Sequence, residues 1–305
     1  MCGIAGTLNL SKQHQIDPDG LRRMLGTLRH RGPDQFGLYI FQDGHDGVGL
    51  GNARLSIIDL GGGQQPLCNE DGSLWIVFNG EIFNYVELRP KLEELGHCFA
   101  TDSDTEVILH LYEEYKEACL HHLNGQFAFA IWDIQKETLL LGRDRVGIRP
   151  LFYHLANNRM LFGSEIKSLF ADTHLPRQLD PRVMSEIFTS WTPTASGTAF
   201  KNIHQIPPGH FAEFSKDGLD IRPYWCLSFD QPETHDRDLS DWVEEFSSLI
   251  LDATRIRLRA DVPVGAYLSG GIDSTYISSL VKQNFNNRLS TFSVKFTDKK
   301  YDEAS

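Results

Sequence analysis

Met1-Cys2-Gly3-Ile4-Ala5-Gly6-Thr7-Leu8-Asn9-Leu10 opens the chain. Residues 3–10 read as a strand, and that strand sets Cys2 at its leading end. The small side chain at the second position predicts that Met1 is trimmed. Cys2 would then carry a thiol and a free α-amine on one residue. The thiolate is the attacking species, and an unperturbed thiol is only slightly ionised at neutral pH. An α-amine titrates near pH ~8 and can act as base for that thiol. Nucleophile and base would share one residue, with the N-terminus in the place of a histidine. A cysteine in second position has no such meaning alone, so the residues downstream decide.

The 305 residues leave room for two domains or one large one. The chain has 29 Lys+Arg against 41 Asp+Glu, a formal charge of -12. That balance disfavours nonspecific binding to nucleic acid or to anionic membranes. No apolar run is long enough to span a bilayer, and the first residues lack the basic and apolar regions of a signal peptide. The five cysteines are scattered, without a C-x-x-C pair. They predict a reducing cytoplasm, and free structural thiols at Cys68, Cys98, Cys119 and Cys226 rather than disulfides or a zinc site.

Outward from Cys2, Leu21, Met24, Leu25 and Leu28 have helical spacing, broken near His30-Arg31-Gly32-Pro33-Asp34. Residues 48–59 are strand-like and carry Arg54. The apolar run 74–78 stops at Asn79-Gly80-Glu81, a turn signal. Asn84 is expected to cap a helix with Leu88, Leu92 and Leu95 on one face and Gly96 as its stop, in spite of Pro90. Ser103 or Asp104 starts another, with Val107, Ile108, Leu111 and Tyr112 as its apolar face. Residues 127–134 and 138–142 read as a strand pair, 150–155 and 159–162 as a second, and 165–170 and 181–188 as short helices. Elements without regular β-α-β order predict an α+β domain over 2–215. Residues 216–237, rich in Asp and Pro, read as a linker. Over 238–305 a long helix, capped by Ser240, presents Trp242, Phe246, Leu249, Ile250 and Ala253. A strand (262–268), a loop (269–274), a helix (275–283) and a strand (290–296) follow, in the alternation of a parallel sheet.

Ser269-Gly270-Gly271-Ile272-Asp273-Ser274 therefore follows a strand and opens a helix. Its glycines let backbone N–H groups approach an anion, and the helix N-terminus adds partial positive charge. Ser269 and Ser274 offer hydroxyls, and Asp273 could hold a Mg²⁺ that bridges phosphate oxygens. In the first half, Arg54 could clamp a carboxylate in bidentate fashion. Asn79 and the backbone of Gly80 could aim two donors at an oxyanion. Asp104 could accept hydrogen bonds from a substrate ammonium. Each of these residues, taken singly, is as readily a solvated or capping residue.

Cys2-Gly3-Ile4-Ala5-Gly6, His30-Arg31-Gly32-Pro33-Asp34, Arg54-Leu55-Ser56-Ile57-Ile58-Asp59, Asn79-Gly80-Glu81-Ile82-Phe83-Asn84 and Ser103-Asp104-Thr105-Glu106 resemble, in order, the class II glutamine amidotransferases. Gly142-Arg143-Asp144-Arg145, Leu268-Ser269-Gly270-Gly271-Ile272-Asp273-Ser274 and Tyr301-Asp302-Glu303 extend the resemblance to the glutamine-hydrolysing asparagine synthetases. The resemblance implies an N-terminal nucleophile hydrolase fold, an α+β αββα sandwich of antiparallel sheets. The start of an α/β parallel-sheet domain of ATP pyrophosphatase type would follow. It implies that Cys2 releases ammonia from glutamine through a thioester, with Asn79 and Gly80 as oxyanion hole. Arg54 would bind the α-carboxylate, with Glu81 and Asp104 at the α-amino end. Ser269 to Ser274 would cradle the pyrophosphate part of ATP, with Leu268 and Val294 against the adenosine. Aspartate would be activated as an acyl-adenylate. Glutamine, aspartate and ATP, with Mg²⁺ and no prosthetic group, are the implied partners, and a homodimer the expected assembly.

Arg149 stands where the family usually has Lys, and Lys295 precedes Phe296 where Gly is frequent. The family's synthetase domain runs well past residue 305, so a fragment or a truncated gene is expected, with glutaminase activity alone. Two alternatives remain: an amidotransferase with another carboxylate acceptor, and a non-catalytic remnant. The β-lactam synthetase branch is disfavoured because it lacks the cysteine.

Overall fold

Alternation with a period of two sends successive side chains of a strand to opposite faces, and here both faces are buried. The computed structural model describes residues 1–10, 15–43, 46–193, 196–229, 237–285 and 288–295. The chain divides into two units, residues 1–227 and 228–305. Strand β1 (Gly3–Asn9) sends Ile4 and Leu8 to one face and Ala5 to the other. Helix α1 (Pro18–Gly26) covers the Ala5 face with Leu21, Met24 and Leu25. Its start is fixed by Asp17, whose Oδ1 accepts from the Asp19 N–H at 3.0 Å, and by Pro18 in the first turn. Strands β2 (Gln35–Asp43) and β3 (Asp46–Arg54) pair antiparallel, and β3 pairs with β1, Gly3 opposite Ala53.

Strands β4 (Leu67–Cys68) and β5 (Leu74–Ile82) begin a second sheet, followed by helices α2 (Tyr85–Glu94) and α3 (Asp104–Tyr115). Ser103 caps α3, its Oγ accepting from the Thr105 N–H. Asn84 is the N-cap residue of α2, its carbonyl accepting from the Leu88 N–H at 3.1 Å, but its side chain makes no capping bond and instead donates to His122 O and accepts from the Asn124 N–H. Strands β6 (Gly125–Asp133) and β7 (Thr138–Arg143) continue the second sheet, and β8 (Phe152–Ala156) and β9 (Arg159–Gly163) return to the first. Helices α4 (Ile166–Leu169) and α5 (Pro181–Ser190) and strands β10 (His204–Gln205), β11 (His210–Ser215) and β12 (Gly218–Pro223) complete the unit. The sheets run β10-β8-β9-β1-β3-β2 and β12-β11-β7-β6-β5-β4, with antiparallel neighbours throughout.

Three apolar layers follow from the alternation. Between the sheets, Ile4, Leu8, Val48 and Leu50 meet Val77, Ala128, Ala130 and Leu141. Outside the second sheet, Phe78, Phe127, Phe129 and Ile131 pack on Leu92, Val107, Ile108 and Tyr112 of α2 and α3. Outside the first, Ala5, Ala53 and Leu161 pack on α1 and on Leu169 of α4. The result is an αββα sandwich, as the fold expectation has it. Each fully buried side chain of this kind contributes about 1.5–3 kcal/mol.

Three sequence expectations change. The Asn79-Gly80 turn does not form: β5 runs on to Ile82 because β6 pairs with it along its whole length, Asn79 opposite Ala128 and Gly80 opposite Phe127. The strand expected over 48–59 ends at Arg54, and β2 joins it as an edge strand unread in the sequence. The stretch 216–237 is not wholly linker, since β12 pairs with β11 from Gly218 opposite Ser215 to Pro223 opposite His210. Its Leu219 and Ile221 pack on the inner layer while Asp220 and Arg222 face outward.

In the second unit, α6 (Leu239–Ile256) starts from Asp238 rather than Ser240. Strands β13 (Gly265–Tyr267) and β14 (Ser290–Phe292) pair in parallel, with α7 (Ile272–Asn284) between them in sequence. Residues 230–236, 296 and 301–303, which bear on the linker, the last strand and the tail resemblance, lie outside the described residues. The five cysteines are free, and no described helix is long and apolar enough to cross a membrane.

Candidate active site

The even positions of β1 face the second sheet, which turns Cys2 the same way as Ile4. On β3, Val48 and Leu50 face inward, followed by Asn52 and Arg54; on β5, Val77 is followed by Asn79 and Glu81. The two sheets thus bring polar side chains into one end of the gap between them. Cys2, Arg54, Asn79, Gly80, Glu81 and Asp104 line one small pocket there, together with Gln65 and Arg149.

Cys2 is placed by its backbone as much as by its side chain. Arg31 Nε donates to Cys2 O at 2.9 Å, and Arg31 Nη1 is held by Glu165 Oε1 at 3.1 Å. This explains the His30-Arg31 motif: His30 Nε2 meets the same Glu165 oxygen at 2.8 Å. The His30, Arg31 and Lys167 side chains around Glu165 outweigh its burial and hold its carboxyl down at about 2. The Leu55 N–H points at Cys2 Sγ from 3.4 Å. Burial pushes the Cys2 thiol above its ordinary range, against the pull of that N–H and of the N-terminal and Arg54 charges. Burial also lowers the N-terminal amine, which sits on Met1 at the pocket wall.

Asn79 has no solvent exposure, and neither its Nδ2 nor its Oδ1 has a hydrogen-bond partner among the described residues. A buried orphan amide costs roughly 1–3 kcal/mol unless something bonds it, so this is a group awaiting a ligand. Gly80 stands beside it for a steric reason: a Cβ there would lie 2.2 Å from Gln126 O on β6. Its N–H direction follows from the ladder. The Phe78 N–H donates to Gln65 Oε1 at 2.7 Å, and the Ile82 N–H to Asp104 Oδ2 at 2.8 Å. Antiparallel alternation therefore turns the Gly80 N–H to the same edge, away from β6.

Arg54 does not present an open fork. Its Nη2 donates to Ile58 O and Asp59 O at 2.8 and 2.7 Å, and its Nη1 to Gln35 Oε1 at 2.9 Å. The guanidinium both charges the pocket and ties down the 55–59 segment. Burial raises the Asp104 carboxyl to about 7, against the Ile82 N–H and the Arg54 charge. Burial also raises Glu81, with Arg149 opposing it.

Asn52, Gln65 and Arg149 belong to this site without having been read as site residues. Asn52 Nδ2 donates to Gln65 Oε1 and Phe78 O, each at 3.0 Å, and joins the two sheets. Arg149 is buried and its Nε has no hydrogen-bond partner among the described residues. Asp144 delivers it: that carboxylate accepts from the N–H groups of Phe127, Ile148 and Arg149. A polar residue on an apolar alternation was the signal for Asn52; Arg149 carried none.

In the second unit, Leu268 and Val294 lie just past β13 and β14, at the carboxyl ends of neighbouring parallel strands, where α/β sheets bind ligands. Gly270 has φ +95°, open to glycine, and Gly271 is the N-cap of α7. The Ser269–Ser274 loop closes on itself. Ser269 Oγ accepts from the Gly271 N–H at 3.3 Å and lies 3.1 Å from Ser274 Oγ.

Residues 1–225 match the glutamine amidotransferase domain family, and residues 245–305 match the asparagine synthase family. The asparagine synthetase (glutamine-hydrolyzing) 3 of Bacillus subtilis (strain 168) is 40% identical over 313 residues, covering 100% of this chain and 50% of the relative. An amidase named chry2 from Gibberella zeae is 38% identical over 295 residues, covering 92% of this chain and 43% of the relative. The chain spans about half the length of the curated relatives it matches. Glutamine phosphoribosylpyrophosphate amidotransferase from B. subtilis, complexed with ADP and GMP, shares the fold. Its TM-score is 0.54 at 18% identity, over 100% of this chain and 69% of that one.

Proposed function

The chain belongs to the glutamine amidotransferase domain family, and we propose that its first unit hydrolyses glutamine to glutamate and ammonia at Cys2. With Met1 in place the nitrogen of Cys2 is an amide and no base, so removal of Met1 precedes activity. The freed amine then takes the thiol proton as sulfur attacks the side-chain carbonyl carbon of glutamine. A base is required because burial disfavours the thiolate. The oxyanion is met by Asn79 Nδ2 and the Gly80 N–H. The tetrahedral adduct collapses, its C–N bond breaks, and the ammonium returns the proton to the leaving nitrogen. Water attacks the resulting thioester, with the amine again as base, and glutamate leaves with its new carboxyl oxygen from water. Asp104 and Glu81 receive the substrate's α-ammonium, and Arg54 its α-carboxylate.

The observation that supports this reading is the buried Asn79 amide, without a partner among the described residues, on the strand opposite Cys2. The test is glutaminase turnover by the full chain, with mass spectrometry for loss of Met1. Cys2→Ala is expected to lose roughly 10⁴-fold or more in kcat. An Ala variant as fast as the parent would remove Cys2 from the reaction.

For the second unit we propose ATP binding on the Ser269–Ser274 loop, with the ammonia delivered to an adenylated carboxylate. Opening the Ser269–Gly271 bond would free an N–H for a phosphate oxygen. Asp273 offers one hard oxygen donor beside that cradle, which suits Mg²⁺, an ion held by one or two carboxylates together with substrate phosphates. Aspartate is the acceptor favoured by the asparagine synthase match. The amidase relative, of similar identity over the same region, supports another carboxylate as the alternative.

A further inference from the structure

Away from the thiol, four side chains that the glutaminase chemistry does not use converge on one point. Glu70, His97, His110 and Glu113 each bring one ligand atom to within 4.8 Å of the others. Glu70 lies between β4 and β5, and His97 follows α2. His110 and Glu113 lie three residues apart on α3, which puts them on one face. His110 Nδ1 is 2.7 Å from Glu113 Oε2. His97 Nδ1 is 3.3 Å from that same oxygen, and Glu70 Oε2 is 3.8 Å from His110 Nδ1.

The outer atoms of all four are also held. His97 Nε2 meets Glu114 Oε1 at 3.0 Å, and His110 Nε2 lies 3.7 Å from Glu106 Oε1. Asn69 Nδ2 donates to Glu113 Oε1 at 2.7 Å, and the Cys98 N–H to Glu70 Oε1 at 3.0 Å. A ring backed by a carboxylate while its other nitrogen faces inward is the usual support for a metal-ligating histidine. The His110 ring is fully buried, with Nδ1 on Glu113 inside the cluster and Nε2 turned outward to Glu106.

We propose that Glu70, His97, His110 and Glu113 bind a zinc ion through two imidazole nitrogens and two carboxylate oxygens. This donor set suits four-coordinate zinc, whereas Mg²⁺ and Ca²⁺ take oxygen ligands. Bonds of about 2.0–2.1 Å place tetrahedral ligand atoms about 3.3 Å apart. The observed 3.3 and 3.8 Å separations are near that spacing, and the 2.7 Å contact opens as the metal enters. His110 Nδ1 exchanges its proton for the metal and releases it to solvent. The ion clips the His97 segment and the Glu70 turn to α3. The site shares no residue with the Cys2 pocket, so it stands or falls apart from the glutaminase reading.

The experiment is equilibrium dialysis of the full chain against zinc chloride, with bound metal counted by mass spectrometry. It is run in a Cys2→Ala background, so that zinc on that thiol does not count. One zinc per chain is expected. His97→Gln and Glu70→Gln, both at partly exposed positions, are expected to weaken it about 100-fold or more, beyond what loss of an outer-shell partner costs. Cobalt(II) should give the visible absorption of a tetrahedral site, lost in His97→Gln. Zinc bound equally well by the variants, or none bound by the parent, would leave an ion-pair cluster and overturn the proposal.

Discussion

Asn79 has no exposure between two packed sheets, whereas Ile272, in the Ser269–Ser274 loop, is 88% exposed. Both belong to motifs that carry the functional reading, but their surroundings differ. The first motif set is held by layers on both sides of each sheet: Phe78 beneath the Asn79 strand, Ile4 next to Cys2 on the inward face, and α1 and α3 outside. The second hangs on two strands of three residues each, and β14 is exposed throughout. Parallel strands are normally buried on both faces. Geometry in the first unit is imposed by packing; in the second it rests on hydrogen bonds within the loop itself. The contrast separates a motif positioned by a packed core from one positioned by its own hydrogen bonds.

The strongest way to break this contrast is to truncate one apolar side chain in each unit. Phe129→Ala empties a fully buried position under α2 and α3 and is expected to cost about 3–5 kcal/mol. Leu249→Ala on α6, at 61% exposure, is expected to stay within about 0.5 kcal/mol. Denaturant midpoints check both, and equal losses would erase the distinction. A finer probe stays inside the pocket. Asn79→Ala is expected to lower kcat for glutamine about 10²–10³-fold, with KM nearly unchanged. Ser269→Ala, in the exposed loop, is expected to leave glutamine hydrolysis alone. Steady-state kinetics of the pair decide whether the two motifs act separately.

The contrast also explains what could be read in advance. Residues 3–10, 74–78 and the face Val107, Ile108, Leu111 and Tyr112 announce themselves because burial imposes their period. β2 was missed although Phe36, Leu38 and Ile40 alternate, because on an edge strand neither face is cleanly apolar. Asn79-Gly80 has the chemistry of a turn, and only pairing with β6, distant in sequence, overrides it. Residues 218–223 look like linker because Asp220 and Arg222 face outward from an edge. At the site, Cys2, Arg54, Asn79, Gly80, Glu81 and Asp104 come from separate segments, and family resemblance named them together. Gln65 reaches the pocket through long-range bonds to Phe78 and Thr105, and Arg149 through a local bond to Asp144, which is itself held by the distant Phe127 N–H. Single-sequence periodicity contains no trace of such bonds.

Asp104 sharpens the contrast in the smallest and most specific way, because burial is the largest cause of its raised titration, with the Glu81 charge adding to it and the Ile82 N–H and Arg54 opposing it. Desolvation lifts its carboxyl from 3.8 to about 7. For stability the sign is that of a raised carboxyl: the contribution is full below the unfolded value and is lost as pH rises through about 7. For substrate the sign is opposite, since the ammonium of glutamine needs the carboxylate. One unit below its pKa about a tenth of an acid is ionised, and one unit above about nine tenths. KM for glutamine is therefore expected to fall about tenfold between those points, while folding stability declines over the same interval. Asp104→Asn should flatten the KM profile and raise KM by about 30-fold, the ~2 kcal/mol lower bound for removing one partner of a buried charge pair. A KM that is flat with pH in the parent would mean that Asp104 is not the ammonium's partner. A profile that survives in Asp104→Asn would pass that role to Glu81, which burial raises in the same pocket.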